Sequence, residues 1–226
     1  MKRSGRSVSC YPERVATSLR RDAQRNRDAI LVAAQAVFSE RGLDAGVEEI
    51  ARCAGVGMGT LYRRFPHKDD LIAAIFEQRL GELAAVAEEA LDDPSPWDGF
   101  VRFLEAVGEL QAANRGFQDI LAHALRREGA LTPARRRLRR LNAKLVERAQ
   151  KAAVLRDDIT TEDITVFLMS LCPVIEATSE VAPEFWRRFL AISIDGLRTG
   201  EQRNALAYPP LSTQQLDRAM KATVPR

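Results

Sequence analysis

Ile50-Ala51-Arg52-Cys53-Ala54-Gly55-Val56-Gly57-Met58-Gly59-Thr60-Leu61-Tyr62-Arg63-Arg64-Phe65-Pro66-His67-Lys68 is the stretch that decides the fold. Val47, Ile50, Ala51 and Ala54 recur at helical spacing, so residues 47–54 read as a short helix with one apolar face. Gly55-Val56-Gly57 interrupts it. A second short helix, about 58–65, turns Leu61 and Phe65 inward and is closed by Pro66. Two short helices joined by a glycine-containing turn make a helix-turn-helix. The first braces the second, which offers its outer face to the major groove of DNA.

The flanks support this reading. Upstream, Ile30, Ala33, Ala34, Val37 and Phe38 keep the i, i+3, i+4, i+7, i+8 pattern until Gly42, which suits a left-handed helix stop. Downstream, a long helix is expected over about 68–90, with Leu71, Ile72, Ile75, Phe76, Leu80 and Leu83 in register, ending before Asp92-Asp93-Pro94-Ser95-Pro96. Residues 1–68 carry 13 Lys/Arg against 7 Asp/Glu, whereas the rest carries 21 against 24. A basic excess on one small module is the electrostatic footprint of a phosphate-backbone binder. The spacing Gly55-x-Gly57-x-Gly59-Thr60 also suggests a phosphate-cradling loop, but such a loop follows a strand and this one follows a helix.

At this point a resemblance becomes specific. The run from Ile50 to Lys68 resembles the signature of the TetR family of bacterial transcriptional regulators, roughly IAxxAGVxxGTLYxxFxxK followed by acidic residues and Leu. Ala36-Val37-Phe38 and Arg41-Gly42 resemble the family's first helix, so the likeness covers about residues 28–75. It implies a homodimer bound to a near-palindromic double-stranded DNA operator. The DNA-contacting positions it implies are Gly57, Met58, Gly59, Thr60, Tyr62, Arg63, Arg64, His67 and Lys68.

Several of these roles also follow from chemistry. Tyr62 and Thr60 are hydroxyl donors suited to phosphates or base edges. Arg63 and Arg64 are long enough for bidentate contact with guanine. Lys68 opens a helix, where a cation is mildly disfavoured by the macrodipole unless it meets a phosphate. Two positions depart from the family pattern. Ala45-Gly46 stands where a hydroxyl residue often starts the bracing helix, and His67 where Ser or Asn often precedes the lysine.

The remaining chain reads as helix throughout, giving an all-α fold. Segments are expected at Trp97–Ala113, Gly116–Arg127, Pro133–Leu155, Glu162–Thr178 and Pro183–Thr199, with a short capped helix starting at Ser212. The domain plan is a basic arm over 1–20, a three-helix DNA-binding domain over 21–68, a regulatory and dimerisation domain over 69–200, and an extension over 201–226. Phe103, Val107, Phe117, Leu121, Phe167 and Cys172 are candidate walls of an effector cavity, or plain core. Pro173 inside its helix predicts a kink. Phe185, Phe189 and Ile192 share one face and are candidate dimer contacts, with intramolecular core as the alternative. Arg135-Arg136-Arg137-Leu138-Arg139-Arg140 reads as a solvated face, with Arg136, Arg140 and Lys144 at i, i+4, i+8 and Leu138, Leu141 and Leu145 turned inward; the alternative is a second nucleic-acid surface.

Composition narrows the function. An apolar share of 46% and a charged share of 29% suit a soluble globular chain. Cys10, Cys53 and Cys172 form no CxxC pair, which argues against a zinc site or a disulfide framework and suits a cytoplasmic location. No apolar run reaches the length of a membrane span. With only His67 and His123 and no nucleophile motif near either, no metal, cofactor or enzymatic activity is expected. The function expected is a DNA-binding regulator, a repressor released by a small-molecule effector. The alternatives are a ligand-independent regulator or activator, and a helical enzyme or adaptor that keeps the helix-turn-helix as a packing module.

Overall fold

In a computed structural model, residues 12–113, 132–200 and 206–222 are described. Among them, nine helices follow in order: α1 (Pro12–Arg41), α2 (Val47–Cys53), α3 (Met58–Arg64), α4 (Lys68–Leu91), α5 (Pro96–Ala113), α6 (Pro133–Lys151), α7 (Thr161–Thr178), α8 (Phe185–Leu197) and α9 (Thr213–Ala222). The all-α expectation holds. The segment 12–20, read above as part of an arm, lies inside α1. Its polar sequence hid the helix because periodic apolar residues begin only near Ile30. The expected helix over 116–127 lies outside the described residues.

Helix ends follow local chemistry. Gly42 and Gly55 adopt φ of +73° and +66°, the left-handed region where only glycine is unstrained, and each stops a helix. Thr132 caps α6 by accepting a hydrogen bond from the Arg135 amide. The cap of α7 is Thr160, two residues before the expected helix start at Glu162. Its hydroxyl accepts from the Asp163 amide while the Asp163 carboxylate accepts from the Thr160 amide at 2.8 Å. Helix α6 stops four residues before the expected Leu155, where Ala153 turns to φ of +53°. That turn frees Leu155 for an isolated antiparallel bridge with Arg198, which in turn ends α8. Pro183 lies in the turn before α8, and Ser212 caps α9 as expected.

Two apolar clusters organise the chain, and α4 belongs to both. Leu71, Ile72, Ile75, Phe76 and Leu80 pack with Ile30, Phe38, Ile50, Leu61 and Phe65 of the N-terminal module. Leu83, Ala84, Ala87 and Ala90 pack with Phe100, Phe103, Leu104 and Leu145 of the larger one. Helix α4 runs against both α5 and α6, while α7 and α8 close the far side of α5. Leu110 and Leu138 touch both clusters, so the modules share packing rather than a hinge. Pro173 lies within α7, where it removes one backbone donor from the helix ladder.

At two glycines of α5 the packing leaves no room for a side chain. A Cβ on Gly99 would lie 2.2 Å from the carbonyl oxygen of Ala90, and one on Gly108 would lie 2.4 Å from the Trp186 ring. Backbone cannot yield as a flexible side chain can. Gly99→Ala is therefore expected to destabilise the fold by about 1–3 kcal/mol through overpacking. A thermal melt checks this, and an unchanged Tm would show that α4 and α5 can separate freely.

Candidate nucleic-acid interface

Helices α1 to α3 form the module expected from the sequence. The turn is built on backbone hydrogen bonds from Gly55 to the Arg52 carbonyl and from Val56 to the Ala51 carbonyl, at 3.2 and 3.0 Å. Ile50 and Ala51 anchor α2, and Leu61 anchors α3, with Phe65 buried just beyond its end. Fixing Leu61 and Phe65 inward leaves Gly59, Tyr62 and Arg63 on the opposite face, all exposed. Arg64 is exposed beside them and Thr60 is half-buried. Met58 is drawn in against the N-terminal cluster.

Gly57 and Gly59 are informative because nothing inside the protein requires them. A Cβ at either would meet no atom within 4 Å, and neither takes a positive φ. Gly59, inside α3, costs about 1 kcal/mol relative to alanine, whereas Gly57 is the helix N-cap, where glycine is tolerated. What the absent side chains provide is a bare backbone surface beside Tyr62, open to close approach from outside. Gly46 is the N-cap of α2 and makes no side-chain cap, so the missing hydroxyl noted in the sequence has no local substitute.

His67 and Lys68 open α4 at the edge of this surface. His67 is exposed, and its amide donates to the Asp70 carboxylate at 3.0 Å, which ties down the start of the helix. The Lys68 ammonium rests 5.7 Å from the centre of the Phe38 ring, and the Arg27 guanidinium 5.9 Å from that of Phe65. These contacts hold two cations at the rim at an exposed-site cost of only about 0.5–1 kcal/mol if they are given up. The module thus presents the Tyr62 hydroxyl and the Arg63 and Arg64 guanidinium groups to the outside, with Arg27 and Lys68 set over its own aromatic rings.

The other expected residues are divided by the structure. Phe103 and Val107 line a cavity of about 160 Å³ below α4. Phe167 and Cys172 are not in its lining, and Phe117 and Leu121 lie outside the described residues. Phe167 packs against the larger cluster. Cys172 donates its thiol to the Gln111 side chain at 3.2 Å, and burial pushes its pKa up to about 11. Phe185 and Ile192 are exposed on α8, while Phe189 is half-buried against the core.

Residues not anticipated also face the cavity: Arg135, Arg139, Asn142, Leu216 and Asp217. The arginine run is therefore only partly a solvated face. Arg136, Arg140 and Lys144 are exposed as expected, but Arg135, Arg139 and Asn142 fall at i, i+4, i+7 on the inward side. That spacing was visible in the sequence and was masked by the surrounding charge. No group of three metal-ligating side chains occurs among the described residues, and no helix among them is long and apolar enough to cross a membrane.

A structural module of this kind defines a helix-turn-helix protein. Residues 30–75 match the model of the bacterial regulatory proteins of the tetR family, and residues 95–199 match that of the SbtR-like transcriptional regulator C-terminal domain. A TetR transcription regulatory protein from Mycobacterium vanbaalenii superposes with a TM-score of 0.59 at 30% identity, covering 80% of this chain and 99% of that one. A TetR transcriptional regulator from Streptomyces coelicolor gives 0.61 at 31% identity, covering 77% and 99%. An HTH-type transcriptional regulator of Staphylococcus aureus is 36% identical over 76 residues, 33% of this chain and 41% of the relative's length. The chain belongs to the TetR family of bacterial transcriptional regulators.

Proposed function

We propose that the protein is a homodimeric repressor that binds a near-palindromic operator through α3 and is released by a small, largely apolar effector. On the DNA side, the reading assigns the bare backbone at Gly57 and Gly59 to close approach. Thr60, Tyr62, Arg63 and Arg64 contact phosphates and base edges, and His67 and Lys68 the flanking backbone. Met58 supports the helix from beneath. On the partner side, the face of α8 that carries exposed Phe185 and Ile192 with half-buried Phe189 between them contacts a second subunit.

The observation that carries the effector half is the cavity beneath α4. Phe76, Leu80 and Leu83 of α4 form one wall, and Phe103, Val107 and Leu168 face them. The helix that begins at Lys68 beside α3 thus forms part of the chamber further along its length. A ligand that reshapes this wall moves the base of the DNA module. Such a ligand reduces operator affinity only by its differential affinity for the released form, typically 1–3 kcal/mol or 5–150-fold. Linkage requires DNA to weaken the ligand by the same factor.

The test combines a metabolite screen by thermal stability with operator titration. An effector is expected to raise Tm and lower operator affinity. Val107→Trp fills the cavity and is expected to abolish the response while leaving operator binding intact. A broad screen without a stabilising compound, together with unchanged operator affinity throughout, would favour the ligand-independent alternative.

A further inference from the structure

The polar groups in the wall of the cavity beneath α4 are of two kinds. Where α9 meets α6 they are charged, partly exposed and paired. Arg135 lies 3.4 Å from Asp217, and Arg139 lies 2.9 Å from Glu162, which also accepts from the Thr213 hydroxyl at 2.8 Å. Two positive and two negative side chains balance there, so the wall offers a ligand no net charge. Asn142 lies two turns further along α6 than Arg135, a rise of about 10 Å. It lines the same cavity and is 6% exposed, and its amide oxygen has no hydrogen-bond partner.

The uncharged polar neighbours of Asn142 in the lining are already engaged. Gln111 donates to the Leu168 carbonyl at 3.1 Å and accepts from the Cys172 thiol at 3.2 Å. Thr165 donates its hydroxyl proton to the Thr161 carbonyl at 2.9 Å, so toward the cavity it can only accept. The unmet demand is therefore for a donor, in a chamber whose other walls include Phe76, Leu83, Phe103, Val107 and Leu168. A buried acceptor left unpaired in apolar surroundings destabilises the free protein, and a ligand donor would remove that cost. A ketone or a carboxylate would not, because it brings no proton.

We propose that the cavity takes a small uncharged alcohol, with one ring or a short chain, and that the Asn142 amide oxygen accepts a hydrogen bond from its hydroxyl. This rests on the effector reading above and specifies its chemistry. The hydrocarbon part would fill the space between Phe103 and Leu83. A volume of about 160 Å³ is close to that of an engineered cavity of roughly 150 Å³ that holds benzene. Charge on the ligand is disfavoured by the same geometry. An ion would lose its hydration in an apolar chamber whose own ionic groups already hold one another. The apolar walls would thus supply affinity, and Asn142 the choice of functional group.

Calorimetric titration of the full chain with cyclohexanol and cyclohexanone, and with 2-hexanol and 2-hexanone, tests this. Each ketone keeps the size and the oxygen of its alcohol and lacks the proton to donate. In the wild type, at least one alcohol is expected to bind at least about tenfold more tightly than its ketone. Asn142→Leu should bring that pair within about twofold by weakening the alcohol alone. Its unliganded Tm should be unchanged or raised, because the unpaired oxygen is gone. Asn142→Thr, which keeps an oxygen on a shorter side chain, should retain part of the preference. A merely structural Asn142 would lower Tm in Asn142→Leu and leave the alcohol preference intact, and that result would overturn the proposal. A ketone bound as tightly as its alcohol by the wild type would overturn it without recourse to any variant. Should either compound of such a pair weaken operator binding, the effector reading would still stand. An alcohol preference that depends on Asn142, with operator affinity unchanged, would support the site and overturn its role as the effector site. Failure of all four probes to bind at millimolar concentration would overturn the alcohol inference, while the effector reading would be decided by the metabolite screen.

Discussion

Ile192→Glu is expected to leave the protein monomeric at micromolar concentration and to weaken operator binding by at least about a hundredfold. Ile192 is 62% exposed and Phe185 42% exposed, one helical face apart by seven residues, with Phe189 between them. Across the neighbouring helix, Val166, Ser170, Pro173 and Ala177 form a second exposed stripe of small or apolar residues. Large apolar side chains left outside a core in this way are suited to a self-complementary contact, where a two-fold axis repeats every interaction. The axis also repeats any damage. An unpaired buried carboxylate costs several kcal/mol, and two copies would raise the dimer dissociation constant by about three orders of magnitude or more. A monomer then loses the effective-concentration gain from engaging both half-sites, about 10²–10⁴ in affinity. Phe189 is a poorer test position because it is half-buried against the larger cluster, so a charge there would also damage the fold. Sedimentation velocity with a parallel thermal melt separates the two effects. A wild type that sediments as a monomer, or a variant that stays dimeric, would overturn the interface.

The sequence was most legible where each residue answers one local demand. Leu61 on the seven-residue α3 and Phe65 just past its end must face inward, so the identity of the outward positions followed from spacing alone. Gly55 needs its positive φ, and Pro66 ends a helix wherever it stands after one. The cavity was less legible because its walls come from segments far apart in the chain. Phe103 and Val107 were recognised from helical spacing on α5, but Asp217 meets Arg135 across 82 positions. Phe167 and Cys172 have the right chemistry for a wall, yet a rotation of about one residue along α7 sends Leu168 and Met169 to the cavity instead. Periodicity says which face of a helix is buried, and it does not say against what.

Arginine shows the same limit. A run of five guanidinium groups in six residues reads as solvent-facing because most such groups need water. Here Asp217 meets Arg135 at 3.4 Å and Glu162 takes Arg139 at 2.9 Å. Counter-charges supplied by other helices let this face turn partly inward. That information is tertiary, and no window around residue 137 contains it.

Tyr62→Ala is expected to weaken operator binding by about 1–3 kcal/mol per half-site, with no comparable loss of stability. The separation follows from exposure: Tyr62 is 47% exposed, whereas its neighbour Leu61 is 1% exposed. Leu61→Ala should instead cost about 2–5 kcal/mol of folding free energy and lose operator binding only because the module fails. Arg63→Ala and Arg64→Ala are distinguished from both by relaxing base preference if they reach base edges, a change visible only against a panel of operator variants. Lys68→Ala has yet another signature. Its ammonium is held over Phe38 at the rim of the module, and the proposed role on DNA is phosphate neutralisation. It should weaken all sequences alike and lower the salt dependence of binding by about one unit per protomer. Titrations of one operator and several variants at three salt concentrations separate these four behaviours. If Tyr62→Ala and Lys68→Ala both bind as the wild type does, α3 is not the reading head, and the bare backbone at Gly57 and Gly59 needs another explanation.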